Sequence, residues 1–300
     1  MPELPEVETV RRGLDRHLPG RILSAVEILC PAVIRGNPED FRRGVEGQRV
    51  ARLTRKGKAL VIEFSPPDSS PPGCLVVRLG MTGQVLLSRR DSPLLPHTHV
   101  RVILDGGPDE LRYRDARRFG SLRYCTKLEA ERILNSLGPD ALEATPREFE
   151  RALEGRRGAI KSWLMNQRML AGLGNIYADE ALFAAHIHPE TPAGAIGADA
   201  RRRLYRAIRN VLRRAVERQG TSFRDYTDIE GNPGNFEPLL RAYGRTGQPC
   251  RRCATPIRRR IVSGRSSHFC PRCQRRRVRS LRSPSAATAA AAARSLRERF

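Results

Sequence analysis

Four cysteines near the C-terminus constrain this chain more than any other feature of its sequence. They form two Cys-x-x-Cys pairs, and sixteen residues separate Cys253 from Cys270. Two pairs at this separation are typical of thiolate knuckles that close one tetrahedral zinc site, with Cys250 and Cys273 as the remaining ligands. A segment this short cannot bury a hydrophobic core of its own. The spacing therefore predicts one structural Zn²⁺.

The residues between the two pairs predict a β-hairpin. Residues 257–262 and 267–269 are strand-like, and residues 263–265 (SGR) supply the turn. We expect His268 to pack or to face nucleic acid, because four thiolates already fill a tetrahedral site. Two disulfides are the alternative to zinc. The other cysteines, scattered singly at positions 30, 74 and 125, fit buried thiols in a reducing compartment, which disfavours disulfides.

The chain carries a large excess of positive charge. It has 55 Lys and Arg against 32 Asp and Glu, a formal net charge of +23. Such an excess requires a polyanion or a membrane surface as partner, and the absence of any apolar run of spanning length favours nucleic acid. Glu3, Glu6 and Glu8 stand where a signal peptide would be basic and then apolar. We expect a cytoplasmic protein with no membrane partner.

The periodicity of apolar residues divides the chain into a β-rich half and a helical half. Residues 4–18 have helical spacing, and short β-branched segments between polar loops follow, which predicts an antiparallel sandwich or barrel. A glycine turn at residues 172–175 (GLGN) precedes a helix whose free N–H groups predict a phosphate-binding site. The predicted segments are a β-rich domain at 1–127, a helical domain at 128–220, a loop and connector at 221–248, a zinc finger at 249–274, and a basic, alanine-rich tail at 275–300 that we expect to be disordered.

The N-terminus offers a nucleophile. A small residue after the initiator methionine permits removal of that methionine, which leaves Pro2 with a free secondary amine. An α-amine has a pKa of about 8, against about 10.4 for lysine, so it is unprotonated far more often near neutral pH. A secondary amine condenses with an aldehyde-like carbon to give an iminium ion that promotes elimination. Glu3 or Glu6 beside it can act as acid or base.

A series of motifs resembles the formamidopyrimidine-DNA glycosylase family, and the likeness runs from Pro2 to Cys273. The resemblance implies an α+β multidomain fold, with an N-terminal β-sandwich that includes the N-terminal helix, a helix-two-turn-helix domain and a C-terminal four-cysteine zinc-finger β-hairpin. It also implies a bacterial protein that associates with the nucleoid through DNA. The matching motifs are residues 2–8 (PELPEVE), 56–58 (KGK), 79–83 (LGMTG), 115–120 (DARRFG), 160–165 (IKSWLM), 172–178 (GLGNIYA), 243–245 (YGR) and the zinc module.

The resemblance assigns catalytic roles to four positions. Pro2 attacks C1′ of the damaged nucleotide, and Glu3 is a proton donor. Lys58 assists β-elimination, and Arg265 on the zinc hairpin takes part in δ-elimination and binds phosphate. Positive groups at the last two positions stabilise departing phosphates.

Three further positions match residues that fill the gap left when a base is extruded from the stack. Met81 is an apolar wedge, Arg117 a cation that contacts the orphaned base, and Phe119 an aromatic plug. Ordinary core packing is the alternative for Met81 and Phe119, but a methionine between Gly80 and Thr82 in a turn predicts exposure.

The resemblance also implies contacts with the DNA backbone. Lys161, Asn175 and His97 match phosphate-binding positions, with Asn175 at the helix terminus that follows the glycine turn. Residues 221–236 resemble the flap that closes over the extruded base. The loop at 65–72, the tail, and Ser267-His268 before Phe269 depart from the family pattern.

The implied function is base-excision repair of oxidised purines, 8-oxoguanine and formamidopyrimidines, in duplex DNA, with β,δ-elimination at the abasic site. We expect a monomer. An enzyme that resembles endonuclease VIII and acts on oxidised pyrimidines is the nearest alternative, although Leu4 stands where that class usually has glycine. A non-catalytic zinc-finger protein that binds DNA is a further alternative, but it leaves Pro2, Glu3 and Lys58 unexplained. An RNA-binding zinc protein lacks aromatic stacking platforms.

Overall fold

The computed structural model describes residues 2–65 and 73–276. Within that range the N-terminal half is a sandwich of two four-stranded antiparallel sheets, with strand orders β1-β6-β7-β5 and β2-β3-β4-β8. The expectations for the loop at 65–72 and the tail at 275–300 fall outside the described residues, apart from Ser65, Arg275 and Arg276. The strands are β1 (Leu23–Ile28), β2 (Val50–Lys56), β3 (Ala59–Phe64), β4 (Gly73–Arg78), β5 (Gly83–Arg89), β6 (Thr98–Leu104), β7 (Asp109–Asp115) and β8 (Ser121–Thr126).

The second half is helical and ends in a two-stranded hairpin. Threonines at the N-caps of α3 and α4 form capping boxes with Glu129 and Glu148. The hairpin pairs Arg265 with Val262 across its turn. The helices and hairpin strands are α1 (Leu4–Asp15), α2 (Pro38–Val45), α3 (Lys127–Asn135), α4 (Pro146–Leu153), α5 (Ile160–Met165), α6 (Asn175–Ala185), α7 (Ala198–Glu217), β9 (Arg258–Val262) and β10 (Arg265–Phe269).

These elements confirm the predicted fold class, a β-sandwich followed by a helical domain and a β-hairpin. Strands β1 and β8 lay outside the sequence prediction, and both are needed to complete the sheets, since β1 pairs with β6 and β8 with β4. Helix α1 ends at Asp15, three residues before the predicted end at Leu18. Leu18 remains fully buried in the sandwich core. Among the described residues, no helix is both long and apolar enough to cross a membrane.

Helix α1 joins the two hydrophobic cores. Its face with Val7, Val10 and Leu14 packs into the sandwich, whereas Leu4 at its first turn is buried in the core of the helical half. The backbone N–H of Leu4 donates to the carbonyl of Gly172 at 3.1 Å. The first turn of the chain is therefore held between the two halves, where termini would otherwise fray.

The segment at 221–236 crosses from the helical half to the sandwich. Tyr226 and Ile229 are buried in the sandwich core, and the N–H of Leu87 in β5 donates to the carbonyl of Ile229 at 2.8 Å. Phe236 at its end is buried in the helical core. This segment is packed along part of its length, and residues 223–225, 230–233 and 235 are its exposed parts.

A buried ion-pair network fixes the turn between β2 and β3. The guanidinium of Arg55 contacts Glu8 of α1 at 3.0 Å and Asp140 at 2.6 Å, and all three side chains are less than one tenth exposed. Asp140 also accepts from the N–H of Gly57 at 2.6 Å. Burial raises the pKa of Glu8, but hydrogen bonds from Arg11, Arg12 and Arg55 outweigh burial and lower this pKa to about 2. The network thereby fixes the backbone that carries Lys58.

We predict that Asp140→Asn lowers the free energy of unfolding by about 3 kcal/mol, because it removes one partner of a buried ion pair and leaves the Arg55 guanidinium with Glu8 as its one buried carboxylate. Urea denaturation followed by the fluorescence of Trp163, the single tryptophan, measures the change. Asp199→Asn is the matched control, since Asp199 pairs with Arg202 on the surface, and we expect it to cost less than about 0.5 kcal/mol. Equal effects of the two substitutions would contradict the network's importance.

Candidate active site

A cleft of about 640 Å³ opens where the two halves meet, and Pro2 lies on its wall. Lys58 and Phe119 line the same cleft, together with Gly80 from the turn after β4 and Gln167 from the helical half. Pro2 itself is largely buried. The sequence-predicted nucleophile is thus brought into one cavity with Lys58, 56 residues away in the chain.

Glu3 ties the N-terminus to the start of α6. Its carboxylate accepts hydrogen bonds from the backbone N–H groups of Gly174 at 2.6 Å and Ile176 at 3.0 Å. A Cβ at Gly174 would lie 2.5 Å from Glu3 Oε1 and 2.6 Å from Lys58 Nζ, so only glycine fits there. The N–H groups of the glycine turn were predicted to bind phosphate, and they do bind an anion. That anion is Glu3 of this chain rather than a phosphate.

Glu6 holds the other side of the N-terminus. Its carboxylate accepts from the N–H of Glu3 at 2.7 Å and from the N–H of Thr221 at 2.8 Å, and the hydroxyl of Tyr177 also donates to it. Burial raises the pKa of Glu6, and the neighbouring Glu3 charge raises it further. Glu6 therefore connects the first turn of α1 to α6 and to the start of the 221–236 segment. The sequence placed Glu6 beside the nucleophile but gave no sign of Tyr177 or Thr221.

Lys58 follows the β2–β3 turn and faces Glu3. Desolvation lowers the pKa of Lys58, the charges of Glu3 and Glu6 oppose that shift, and the charge of Arg265 adds to it. Arg265 is exposed at the first position of β10. The charge of Arg265 on the zinc hairpin is thus near enough to lower the pKa of Lys58.

Met81, Arg117 and Phe119 lie on two adjacent turns. Met81 is partly exposed in the β4–β5 turn and Phe119 is 57% exposed, which agrees with the predicted exposure and excludes a core role for Phe119. The Arg117 guanidinium stacks 4.6 Å from the centre of the Phe119 ring. An exposed phenylalanine stabilised by a cation is suited to insertion into a base stack.

Asp115 holds these two turns together. This fully buried side chain accepts from Thr82 Oγ1, from the N–H of Arg117 at 3.3 Å and from the N–H of Gly120 at 2.8 Å. Its own N–H donates to the carbonyl of His97 at 3.0 Å. His97 is exposed and adopts a positive φ of 67°. Asp115 was part of a matched motif, but its role as the anchor of the wedge residues was not predicted.

Lys161 and Asn175 have different environments. Lys161 is fully buried, and its ammonium lies 2.7 Å from Asp179 and also donates to the carbonyl of Ser266 in β10. The phosphate contact expected of Lys161 is therefore not available in this arrangement, because the ammonium is enclosed by protein. Asn175 is half-buried at the start of α6, and its side-chain oxygen has no hydrogen-bond partner among residues 2–65 and 73–276.

Asp179 also fixes the zinc hairpin. It accepts from the N–H of His268 at 2.8 Å and lies 3.1 Å from His268 Nδ1. The His268 ring packs edge-on against Tyr243 with centroids 4.9 Å apart. His268 is thus a packing residue, one of its two predicted roles.

The four predicted zinc ligands lie together. The sulfur atoms of Cys250, Cys253, Cys270 and Cys273 are all within 4.8 Å of one another, and those of Cys253 and Cys270 are 3.4 Å apart. A Zn–S distance of about 2.3 Å in a tetrahedron requires sulfur atoms about 3.8 Å apart. All seven cysteines are free thiols rather than disulfides. The donor set fits one structural zinc ion, as predicted.

These features define a zinc-finger DNA glycosylase, with Pro2 in a cleft between two domains and exposed side chains at its edge. Family models match three parts of the chain: formamidopyrimidine-DNA glycosylase N-terminal domain over residues 1–122, the H2TH domain of the same enzymes over 137–227, and the zinc finger found in FPG and IleRS over 247–276. The chain belongs to the formamidopyrimidine-DNA glycosylase family, whose enzymes also have AP lyase activity.

Relatives and solved structures agree with this assignment. The formamidopyrimidine-DNA glycosylase of Heliobacterium modesticaldum is 43% identical over 283 residues, covering 92% of this chain and 100% of its own. That of Symbiobacterium thermophilum is 45% identical over 91% of this chain and 89% of its own. A Lactococcus lactis FPG variant in complex with Fapy-dG-containing DNA has a TM-score of 0.84 at 31% identity, covering 92% of this chain and 100% of that one.

We predict that Asp115→Asn weakens binding to a duplex with an abasic-site analogue by about tenfold. The amide offers only one acceptor to a site where Thr82, Arg117 and Gly120 all donate, so both wedge turns lose their anchor. Fluorescence anisotropy gives the dissociation constant. Asp91→Asn is the control, because Asp91 pairs with Arg89 on the surface, and it should bind like the parent protein. Unchanged affinity of Asp115→Asn would show that the turns do not depend on Asp115.

Proposed function

We propose that this enzyme excises oxidised purines, 8-oxoguanine and formamidopyrimidines, from duplex DNA and cleaves the strand by β,δ-elimination. The observation that carries the proposal is the placement of Pro2 on the cleft wall with Glu3 and Lys58 converging at Gly174. Pro2 and Lys58 thus line one cleft, and the Lys58 ammonium meets the Glu3 carboxylate at Gly174. A site that only bound DNA would have no use for the amine.

The chemistry begins at the Pro2 nitrogen. Its lone pair attacks C1′ of the damaged nucleotide, the bond from C1′ to the base breaks with its electrons on the base, and the base leaves protonated. Opening of the sugar ring, with a proton delivered to the ring oxygen, gives an iminium ion between Pro2 and C1′. Glu3, adjacent to Pro2 in the chain, is the group placed to transfer that proton.

Elimination follows from the iminium ion. Loss of a proton from C2′ expels the 3′ phosphate, and loss of a second proton from C4′ expels the 5′ phosphate. The lowered pKa of Lys58 makes its neutral amine available closer to neutral pH, which suits it to accept the C2′ proton. Arg265 on the hairpin supplies positive charge for the departing phosphates. The zinc ion shapes the hairpin and takes no part in these steps.

Positions for DNA follow from the exposed groups at the cleft edge. We propose that Met81, Arg117 and Phe119 fill the space left by the extruded nucleotide. His97 and the Asn175 amide, whose oxygen lacks a partner among the described residues, contact the backbone on either side. Residues 223–225 and 230–233, which are exposed parts of the connector, are free to reach the extruded base. We propose that the enzyme acts as a monomer on the bacterial chromosome.

Oxidised pyrimidines are the second candidate substrate. A solved complex of the Lactococcus lactis enzyme with oxidised pyrimidine-containing DNA has a TM-score of 0.82 at 31% identity, and it covers 92% of this chain and 100% of that one. A MutM complex with carbocyclic 8-oxo-G-containing DNA has a TM-score of 0.83 at 32% identity, with the same coverage. Leu4, buried in the helical core, stands where the endonuclease VIII class usually has glycine. That residue favours the purine enzyme.

We predict that Lys58→Gln separates the two halves of the reaction. On a duplex with 8-oxoguanine opposite cytosine, release of the free base should stay within about tenfold of the parent rate, while strand cleavage should fall by about 100-fold, since proton transfer typically contributes that much. Chromatography of the free base and denaturing gels of the strand measure the two steps. Lys56→Gln, at the end of β2 and two residues before Lys58, is the matched control.

The same assays decide the substrate. The parent enzyme should process 8-oxoguanine at least about tenfold faster than 5-hydroxyuracil in the same sequence, and should leave undamaged guanine intact. Faster processing of 5-hydroxyuracil would favour the pyrimidine alternative. If the strands of every duplex stayed intact, DNA binding without catalysis would be the remaining function. Equal loss of base release and strand cleavage in Lys58→Gln would contradict its role in elimination.

A further inference from the structure

A second concave surface lies on the helical half, away from the cleft. Two cavities of about 400 and 180 Å³ share Arg214, Leu239 and Arg241 in their walls and so form one continuous groove. We call this surface the arginine groove. Six arginines line it, three from α7, one from the segment after Phe236 and two from the zinc finger: Arg203, Arg206, Arg214, Arg241, Arg251 and Arg252.

The arginine groove is separate from the active site. The catalytic groups gather at Gly174, just before the first turn of α6, whereas Phe183 and Ala184 near the end of the same helix line the groove. At about 1.5 Å per residue, Gly174 and Ala184 are about 15 Å apart along the helix axis. The cleft and the groove share no lining residue.

The charge of the groove is not compensated within the described part of the chain. The guanidinium groups of Arg203, Arg206, Arg214 and Arg241 have no carboxylate within 4 Å there, whereas the arginines of α1 and α2 are paired with acidic residues one helical turn away. Glu180 is the one acidic residue in the groove's lining, and it is buried beneath the backbone N–H groups of residues 241–243. Clustered arginines without partners produce a strong local positive potential.

The floor of the groove is apolar. Ala207, Val211, Phe236 and Leu239 form it between the arginines. A DNA backbone would satisfy the charges but has no large apolar side group to fill such a floor. The chain's own residues 277–300 contain six arginines and one glutamate, so like charge excludes them. A peptide with acidic residues around a large apolar side chain matches both the charge and the floor.

We propose that the arginine groove is a docking site for an acidic peptide segment of a partner protein, with an apolar side chain seated between α7 and Leu239. Such a site would bring a second protein to the enzyme while leaving the cleft free for DNA. Its binding depends on salt, because much of the attraction is electrostatic.

Two neighbouring arginines give a matched pair for the test. Arg213 and Arg214 are both exposed on α7, but only Arg214 lines the groove. The probe is a fluorescein-labelled peptide of alternating aspartate and leucine residues, and its binding to the full chain is followed by anisotropy at low and at physiological salt. We expect Arg214→Glu to weaken binding about tenfold and Arg213→Glu less than twofold. Cleavage of the 8-oxoguanine duplex should be the same in both variants.

Two further probes are used. The first separates the contribution of the apolar floor from that of the charge, and the second distinguishes peptide binding from DNA binding. A peptide of aspartate alone should bind at least about fivefold more weakly than the alternating peptide, since it leaves the floor empty. An undamaged duplex should not displace the alternating peptide. Equal binding of the peptide to the two variants, or of the two peptides to the parent protein, would overturn the proposal. Loss of duplex affinity in Arg214→Glu alone would show that the groove is part of the DNA track instead.

Discussion

The hydrogen bonds between the Glu3 carboxylate and the N-terminus of α6 are the contact on which the active site depends. They join residue 3 to residues 174 and 176 and so hold the two halves together where the chain begins. Because Glu3 follows Pro2 directly, the same contact fixes the proposed nucleophile. Leu4, buried in the helical core, strengthens this anchor with apolar contact. A terminal amine, normally among the most mobile groups of a chain, becomes part of a rigid wall.

Three buried aspartates extend this principle to the other functional groups. Asp140 holds the turn before Lys58, Asp115 holds the turns with Met81, Arg117 and Phe119, and Asp179 holds the hairpin that carries Arg265. Each accepts from at least one backbone N–H, and Asp140 and Asp179 are also paired with a buried cation. The groups proposed to react lie on turns and strand ends, whereas the three aspartates that hold them are buried in the interior. Loops are thereby given fixed positions without losing access to the cleft.

The sequence alone was sufficient to predict the features that depend on local patterns of residues. Cysteine spacing predicted the zinc site, and strand and helix periodicity predicted the two halves. It was insufficient to predict features that depend on contacts between residues far apart in the chain. Strands β1 and β8 mix charged and apolar residues, and their character comes from pairing with β6 and β4. Motif position suggested that Lys161 is exposed to phosphate, but Asp179, eighteen residues later, encloses it. The arginine groove brings together residues from position 203 to position 252, a proximity that no local pattern contains.

The central claim is that Pro2 is the nucleophile, and borohydride trapping tests it most directly. The purified protein is incubated with a duplex carrying 8-oxoguanine opposite cytosine in the presence of borohydride, which reduces an iminium ion to a stable amine. Peptide mapping by mass spectrometry then locates the adduct. The structure predicts a single adduct on the Pro2 nitrogen, in a chain from which the initiator methionine has been removed. An adduct on Lys58 or another lysine, or strand cleavage without any adduct, would contradict it.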